Sequence, residues 1–395
     1  MSRILLVGEG PPPGPDATDT RFAQLRLHQL RTALAQEHEV HVVDCRDVPA
    51  PVPAADLIVT AGTFGPTRAG VAIAGERPLC VDLPGDPFAD AQQVAAAGGG
   101  EDVAAEARAV FLPALARADA FLSVSAPSRY TVIGQLGALG RLVGTVPTYE
   151  WVHITPVAWE FPHFAEAEPR SCPTRVALFG SFNTWLDEQV LLDGLLLAMD
   201  RSGVEVDCVG GGDGVNEAGR ARFAAAAAQS RHRGRFRFLP ALRPHALAEV
   251  LSRCTHTVSV DRPGYEPELG SRTRLLFALH QGLRPIGSAR CELARTLVAG
   301  GWMSEADGPE AIRDALSASP PLPDREPLRT RYSVAATTEG LRAWATRAGR
   351  TSPHPEYETL AALTRERDDL RQTLQMTWAS PTWRALDRAR RFLRR

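Results

Sequence analysis

Val176-Ala-Leu-Phe-Gly-Ser-Phe-Asn-Thr-Trp-Leu-Asp187 decides the fold. Four apolar residues run into Gly180, polar residues follow, and Leu191, Leu192 and Leu195 then recur at helical spacing. That is a buried strand, a tight turn and a helix. The stretch carries weight because the same order has already run once from the start of the chain. Ile4–Val7 is strand-like, Pro11-Pro-Pro-Gly-Pro15 forces a loop, Ala23, Leu27, Leu30 and Leu34 repeat at helical spacing, and Val40–Val43 reads as a second strand. Leu57–Thr60, Leu79–Leu83 and Ala120–Ser125 repeat the strand signal, with helices expected near 102–117 and 127–139. After Gly180 the strand candidates are Val204–Val209, Phe236–Leu239, Thr257–Val260 and Pro285–Gly287, separated by helices near 217–229, 244–252, 271–281 and 308–317. Alternation of this kind builds parallel sheets covered by helices on both faces. The chain is therefore expected to be α/β, with two tandem Rossmann-like domains whose strand ends share one cleft.

The 395 residues exceed what a single hydrophobic core usually serves. Residues 1–160 are read as the first domain, 161–173 as a Pro- and charge-rich linker, and 174–318 as the second domain. A returning loop and helix follow at 319–350, then a helical, basic appendage at 351–395. In that appendage Leu363, Leu370 and Leu374 are spaced as on a helix face, and Ser380-Pro-Thr-Trp breaks the pattern. Arg384, Arg388, Arg390, Arg391, Arg394 and Arg395 crowd the end against one acid, Asp387. Two readings stay open: a solvated terminus, or a contact with an anionic membrane surface or a partner protein. No run approaches the ~18 apolar residues of a membrane span. Met1-Ser-Arg leads directly into the first strand, so no leader is expected and the protein is read as cytoplasmic, peripheral to the inner membrane face if the tail binds there.

Composition removes several chemistries. The chain contains no lysine, so all 44 basic residues are arginine. A Schiff-base lysine, a pyridoxal-phosphate anchor and a P-loop lysine are excluded. A formal net charge of -2 argues against a nucleic-acid partner. The six cysteines are scattered without the paired spacing of zinc or redox sites, and no Asp-x-Asp motif occurs, so neither a cofactor nor an obligatory metal is expected. The first strand leads into Gly8-Glu-Gly-Pro and not into a GxGxxG turn, which argues against a dinucleotide-dependent dehydrogenase.

Three segments of the second half can carry chemistry. At Gly180 the missing Cβ lets a ligand approach the backbone, and Asn183 or Thr184 can cap the next helix. Val209-Gly-Gly-Gly-Asp-Gly214 offers exposed amides for an anion through Gly211 and Gly212, although a plain turn explains it as well. The third is Tyr265-Glu-Pro-Glu-Leu-Gly-Ser-Arg-Thr-Arg-Leu-Leu-Phe-Ala-Leu-His-Gln-Gly282. Gly270, Ser271 and Thr273 open a helix whose free N–H groups favour a negative guest, Arg272 and Arg274 add cations, and Glu266 and Glu268 can accept hydrogen bonds from sugar hydroxyls. In the first half, Arg21, Asp82 and Asp86 are candidates for the acceptor side.

The order of these segments resembles the group 1, family 4-like glycosyltransferases of the GT-B architecture, over roughly residues 1–345. The similarity rests on the opening strand with its Pro/Gly loop, Leu34-Ala-Gln-Glu-His-Glu-Val-His-Val-Val, Ile154-Thr-Pro-Val-Ala-Trp-Glu, Val209-Gly-Gly-Gly, and Leu276-Phe-Ala-Leu-His-Gln-Gly-Leu-Arg-Pro-Ile-Gly-Ser. It implies a hexosyltransferase that moves a sugar from a nucleotide-diphosphate donor to a glycan, lipid-linked or natural-product acceptor, with retention, in polysaccharide or related assembly. The implied donor site would use Arg272 and Arg274 for the diphosphate and Glu268 for donor hydroxyls. Two departures mark a divergent subgroup. The family's Glu-x7-Glu pair would fall on Leu269 and Phe277, and Ser181-Phe-Asn-Thr-Trp stands where an Arg and Lys pair is usual. The missing second Glu leaves open a catalytically silent partner or scaffold of the same fold, and a nucleotide-sugar epimerase or hydrolase is the enzymatic alternative.

Overall fold

The computed structural model describes residues 1–10, 22–99, 102–143, 147–170, 174–210, 214–318, 320–349, 351 and scattered positions between 366 and 383. Most of the tail, with its terminal arginines, lies outside the described residues.

Among the described residues, twelve strands form two all-parallel sheets. The first holds β1 (Arg3–Gly8), β2 (Glu39–Asp44), β3 (Leu57–Thr60), β4 (Leu79–Leu83), β5 (Ala120–Ser123) and β6 (Val152–Ile154), in the order β2-β1-β3-β4-β5-β6. The second holds β7 (Arg175–Phe179), β8 (Glu205–Val209), β9 (Phe236–Leu239), β10 (His256–Ser259), β11 (Arg284–Gly287) and β12 (Ser304–Glu305), in the order β12-β11-β10-β7-β8-β9. The parallel register places Ile4 beside Val40 and Leu57, and Val176 beside Val206 and His256. Strands with both faces covered are mostly apolar, as in β3 and β4, where every residue is buried and Asp82 is the one charged side chain. The edge strands β2 and β9 carry charge, with Glu39 and Arg237 facing out.

In each sheet the chain reverses direction once, between β1 and β3 and between β7 and β10, and a crevice opens beyond the strand ends at such a point. The sequence missed the two short edge strands β6 and β12. It also missed the helices Phe64–Ala74, Pro87–Val94 and Glu292–Ala299. Pro66 and Pro87 read as loop signals, yet each sits in the first turn of its helix, where a missing N–H costs nothing.

Two crossing segments join the domains. The outgoing one, expected as a polar linker, is buried at Trp159 and Phe161, which pack on the second domain. The returning one lies beside it. Trp159 N donates to Tyr332 O (2.7 Å), Val334 N to Glu160 (3.1 Å), and Arg329 pairs with Glu166 (2.6 Å). The helix Glu339–Arg347 then seats Leu341 and Trp344 against Ile4 and Leu6 of the first domain.

Asp82, read from sequence as an acceptor residue, is instead a core residue. It ion-pairs with Arg26 at 2.7 Å, both side chains fully buried, and accepts from Gly62 N (3.1 Å). Arg26 also donates to the Thr155 carbonyl (2.7 Å), which ties the first helix to the crossing segment. Asp82→Ala should therefore cost about 3–5 kcal/mol in urea unfolding by stranding a buried guanidinium. The double variant Arg26→Met/Asp82→Leu should recover most of that loss.

Candidate functional site

The ends of β7 and β8 and the start of the helix Thr273–His280 border a cavity of about 690 Å³. The first domain closes it from the other side with Leu25, Thr63, Phe64 and residues 84–87 and 90.

Arg272 organises the second-domain wall. It is 3% exposed, its Nε donates to Asp261 Oδ2 (2.7 Å), and its Nη1 and Nη2 donate to Glu266 Oε1 (3.1 Å) and Oε2 (2.8 Å). Its guanidinium also stacks 4.8 Å over the Trp185 ring. Burial disfavours its charge, but Asp261 and Glu266 outweigh that and raise its pKa. The geometry needs a residue without a side chain at 270, since a Cβ on Gly270 would lie 2.6 Å from Glu266 Oε1.

Arg274 is placed differently. It lines the cavity, its Nη2 donates to the Ser181 carbonyl (2.9 Å), and among the described residues it has no carboxylate at ion-pair distance. Burial lowers its pKa to about 10, which leaves it charged at neutral pH. Ser271 and Thr273, at the start of this helix, line the cavity at the same place, while the Leu275 amide beyond them is bonded to the Arg272 carbonyl (2.8 Å). Thr273 Oγ1 is buried and has no hydrogen-bond partner among the described residues. A helix start and a guanidinium with no carboxylate partner among the described residues make a site for an anion.

The far wall is apolar. Phe277, where the resemblance would put a carboxylate, packs against Phe164 at 4.7 Å, Phe161 at 5.0 Å and Phe179 at 5.6 Å. Gly180 (φ +85°) and Gly210 (φ +116°) adopt backbone that disfavours side chains, and a Cβ on Gly210 would meet the Gly180 carbonyl at 3.0 Å.

The structure brings together Gly180, Asn183, Glu266, Ser271, Arg272, Thr273, Arg274 and Asp86 on this lining. Other expected residues fall elsewhere or are already engaged. Glu268 is exposed and stands outside the lining, so Glu266 is the acid of this motif that faces the cavity. The Gly270 amide is spent on the Glu266 carbonyl at 2.8 Å. Thr184 opens onto a separate small recess. Neither Asn183 nor Thr184 caps the following helix, because Asp187 does, accepting from Val190 N at 3.1 Å. Asp86 caps the helix Pro87–Val94 through Phe88 N (3.0 Å) and Ala89 N (2.8 Å), and its other oxygen accepts from Gln135 (2.8 Å). Arg21, Gly211 and Gly212 lie outside the described residues.

Sequence reasoning missed Asp90, one turn after the Asp86 cap. It lines the cavity opposite Glu266 and Arg272, and burial followed by the Glu266 charge raises its pKa to about 6. It also missed the aromatic wall of Phe161 and Phe164, hidden in what read as a polar linker.

No family model matches the chain, and no curated protein matches it. Solved structures do. HepE from Anabaena, in complex with UDP and glucose, aligns over 95% of this chain and 100% of its own with a TM-score of 0.51 and 13% identity. Sucrose-phosphate synthase from Thermosynechococcus elongatus aligns over the same shares with a TM-score of 0.55 and 13% identity. AviGT4, a glycosyltransferase involved in avilamycin A biosynthesis, aligns over 88% of this chain and 98% of its own with a TM-score of 0.53 and 10% identity. The fold is the GT-B architecture, two Rossmann-like domains facing one cleft.

Two stability predictions follow from the site. Arg272→Ala should destabilise by about 3–5 kcal/mol, because it leaves Asp261 and Glu266 buried without their cation. Asp90 holds its proton more tightly folded (about 6) than at its ordinary value of 3.8. The stability it contributes is therefore complete below about pH 3.8 and lost as pH rises through about 6. Asp90→Asn should then raise stability at pH 7 by on the order of 1 kcal/mol after solvent screening, and the gain should vanish at pH 4 in paired denaturant titrations.

Proposed function

We propose that this chain is a glycosyltransferase that transfers a sugar from a nucleoside-diphosphate donor to a hydroxyl acceptor. The observation that carries the reading is Arg274, a buried-edge guanidinium with no carboxylate partner among the described residues, beside the start of the helix Thr273–His280 in an interdomain cavity. Departure of a nucleoside diphosphate builds negative charge on its terminal phosphate. A fixed cation and oriented amides at that point stabilise the transition state more than the ground state.

Arg272 has a different part in this account. With Asp261 and Glu266 already satisfying its charge, it supports the wall on which Arg274 stands. Gly180 and Gly210 leave room for the donor to lie close to the backbone, and the first domain supplies the acceptor side. The fold neighbours are consistent with such a donor, since HepE binds UDP and glucose. A hexose as the transferred sugar, and a role in glycan or natural-product assembly, are parts of the proposal that rest on the sequence resemblance and on those neighbours.

A catalytically silent nucleotide-sugar binder is the second reading, and Phe277 in place of a carboxylate favours it. Turnover separates the two. With purified protein, one or more of UDP, GDP, ADP and dTDP should raise the melting temperature, by the equivalent of ~2.7 kcal/mol at a hundredfold excess over Kd. Arg274→Ala should abolish the shift, while the matching nucleotide sugar should release nucleotide slowly in the wild type. Stabilisation that survives in Arg274→Ala would reject the donor-site assignment, and binding without turnover on any acceptor would favour the silent binder.

A further inference from the structure

Three carboxylates line the cavity, and two of them are occupied. Asp86 spends one oxygen on Phe88 N and Ala89 N and the other on Gln135. Glu266 gives both oxygens to Arg272. The Asp90 carboxyl has no hydrogen-bond or ion-pair partner, and no histidine borders the cavity, among the described residues.

Its position is fixed by the interdomain contact. Asp90 lies on the helix Pro87–Val94, whose start is capped by Asp86 and whose Gln93 donates to the Thr184 carbonyl of the second domain (3.4 Å). Gly85 lies opposite Gly270, where a Cβ would stand 3.8 Å from the Gly270 Cα, and a Cβ on Gly264 would be 3.0 Å from Gln93 Oε1. The first domain therefore holds one free carboxylate in the cavity that Arg274 and the helix start border from the second domain.

We propose that Asp90 is the general base of the transfer, taking the proton of the acceptor hydroxyl as that oxygen attacks the anomeric carbon of the donor. The proposal rests on the transferase reading and deepens it. The acceptor oxygen's electron pair forms the new bond to the anomeric carbon. The bond from that carbon to the diphosphate oxygen breaks, its electrons leave with the diphosphate, and the hydroxyl proton passes to an Asp90 carboxylate oxygen. A single displacement with the base on the acceptor side inverts the anomeric configuration, in contrast to the retention that the sequence resemblance implies.

Asp90 is also tuned for the task. A base works best with a pKa near the working pH, and its value of about 6 meets that requirement. The charged groups facing it are Glu266 and Arg272 from the second domain. Of the neighbouring helix Asp102–Arg117, Glu106 is turned outward to Arg68 (2.9 Å).

The test uses the full chain, the nucleotide sugar it consumes from a panel of UDP-, GDP-, ADP- and dTDP-hexoses, and concentrated methanol as surrogate acceptor. The methyl glycoside should have the inverted anomeric configuration by proton NMR. Asp90→Asn should lower kcat by ~100-fold or more while keeping the thermal shift with the nucleoside diphosphate. The wild-type rate should rise with pH to a plateau with a midpoint near 6, and formate should restore rate to Asp90→Ala. A retained glycoside, an Asp90→Asn rate close to that of the wild type, or no rescue by formate would overturn the role of Asp90 while leaving the donor site standing. No thermal shift with any diphosphate in the wild type would overturn the transferase reading itself, and this role with it.

Discussion

Arg272 binds two carboxylates that lie six and eleven residues before it, and that bond set shapes the whole donor-side wall. Asp261 follows the end of β10, Glu266 sits on the short helix Tyr265–Leu269, and the guanidinium pulls both onto one point under Trp185. The segment between them is folded back on itself, and the helix Thr273–His280 starts where the cavity begins. A buried ion pair of this kind is weak evidence for stability, since desolvation opposes it, but it fixes the arrangement here, because one guanidinium engages Asp261 through Nε and Glu266 through both Nη atoms. It also leaves the second arginine of the motif, Arg274, as the cation facing the open space.

The rest of the molecule brings a second surface to that wall. Both sheets turn their strand ends toward the same cavity, and the crossing segments hold the domains to one another through Trp159, Glu166, Arg329 and Val334. The helix Glu339–Arg347 returns to the first domain and buries Trp344 there. The acceptor-side helix Pro87–Val94 meets the donor-side helix Tyr265–Leu269, so Asp90 and Glu266 face each other across the domain boundary. The cavity is mixed in character: charge lies at the helix start, and a cluster of four phenylalanines lies behind it.

The fold was legible because long buried strands are apolar on both faces and announce themselves. Val176–Phe179 and Leu79–Leu83 could be read directly, whereas three-residue β6 and two-residue β12 carry too few side chains to show a pattern. The site was legible as a segment but not residue by residue. Glu266 and Glu268 look equivalent in sequence, and only the helix turn between them decides that one is buried and the other exposed. Arg272 and Arg274 look equally available, but two acids claim the first, one of them Asp261, outside the motif that was read. Asp82 at the end of an apolar run suggested a cleft residue, and its partner Arg26, 56 residues away, turns it into core. Asp90 was invisible because Asp86-Pro87 reads as a turn unless the helix it caps is recognised.

The central claim is that a nucleoside diphosphate binds in the interdomain cavity with its phosphates at the start of the helix Thr273–His280. The most direct measurement is a crystal structure of the protein with the nucleoside diphosphate that stabilises it. The account predicts phosphate density within hydrogen-bonding distance of the Arg274 guanidinium and the Ser271 and Thr273 amides, with Arg272 still joined to Asp261 and Glu266. Phosphates bound away from that helix start, or an Arg272 that leaves its two carboxylates to meet them, would contradict it.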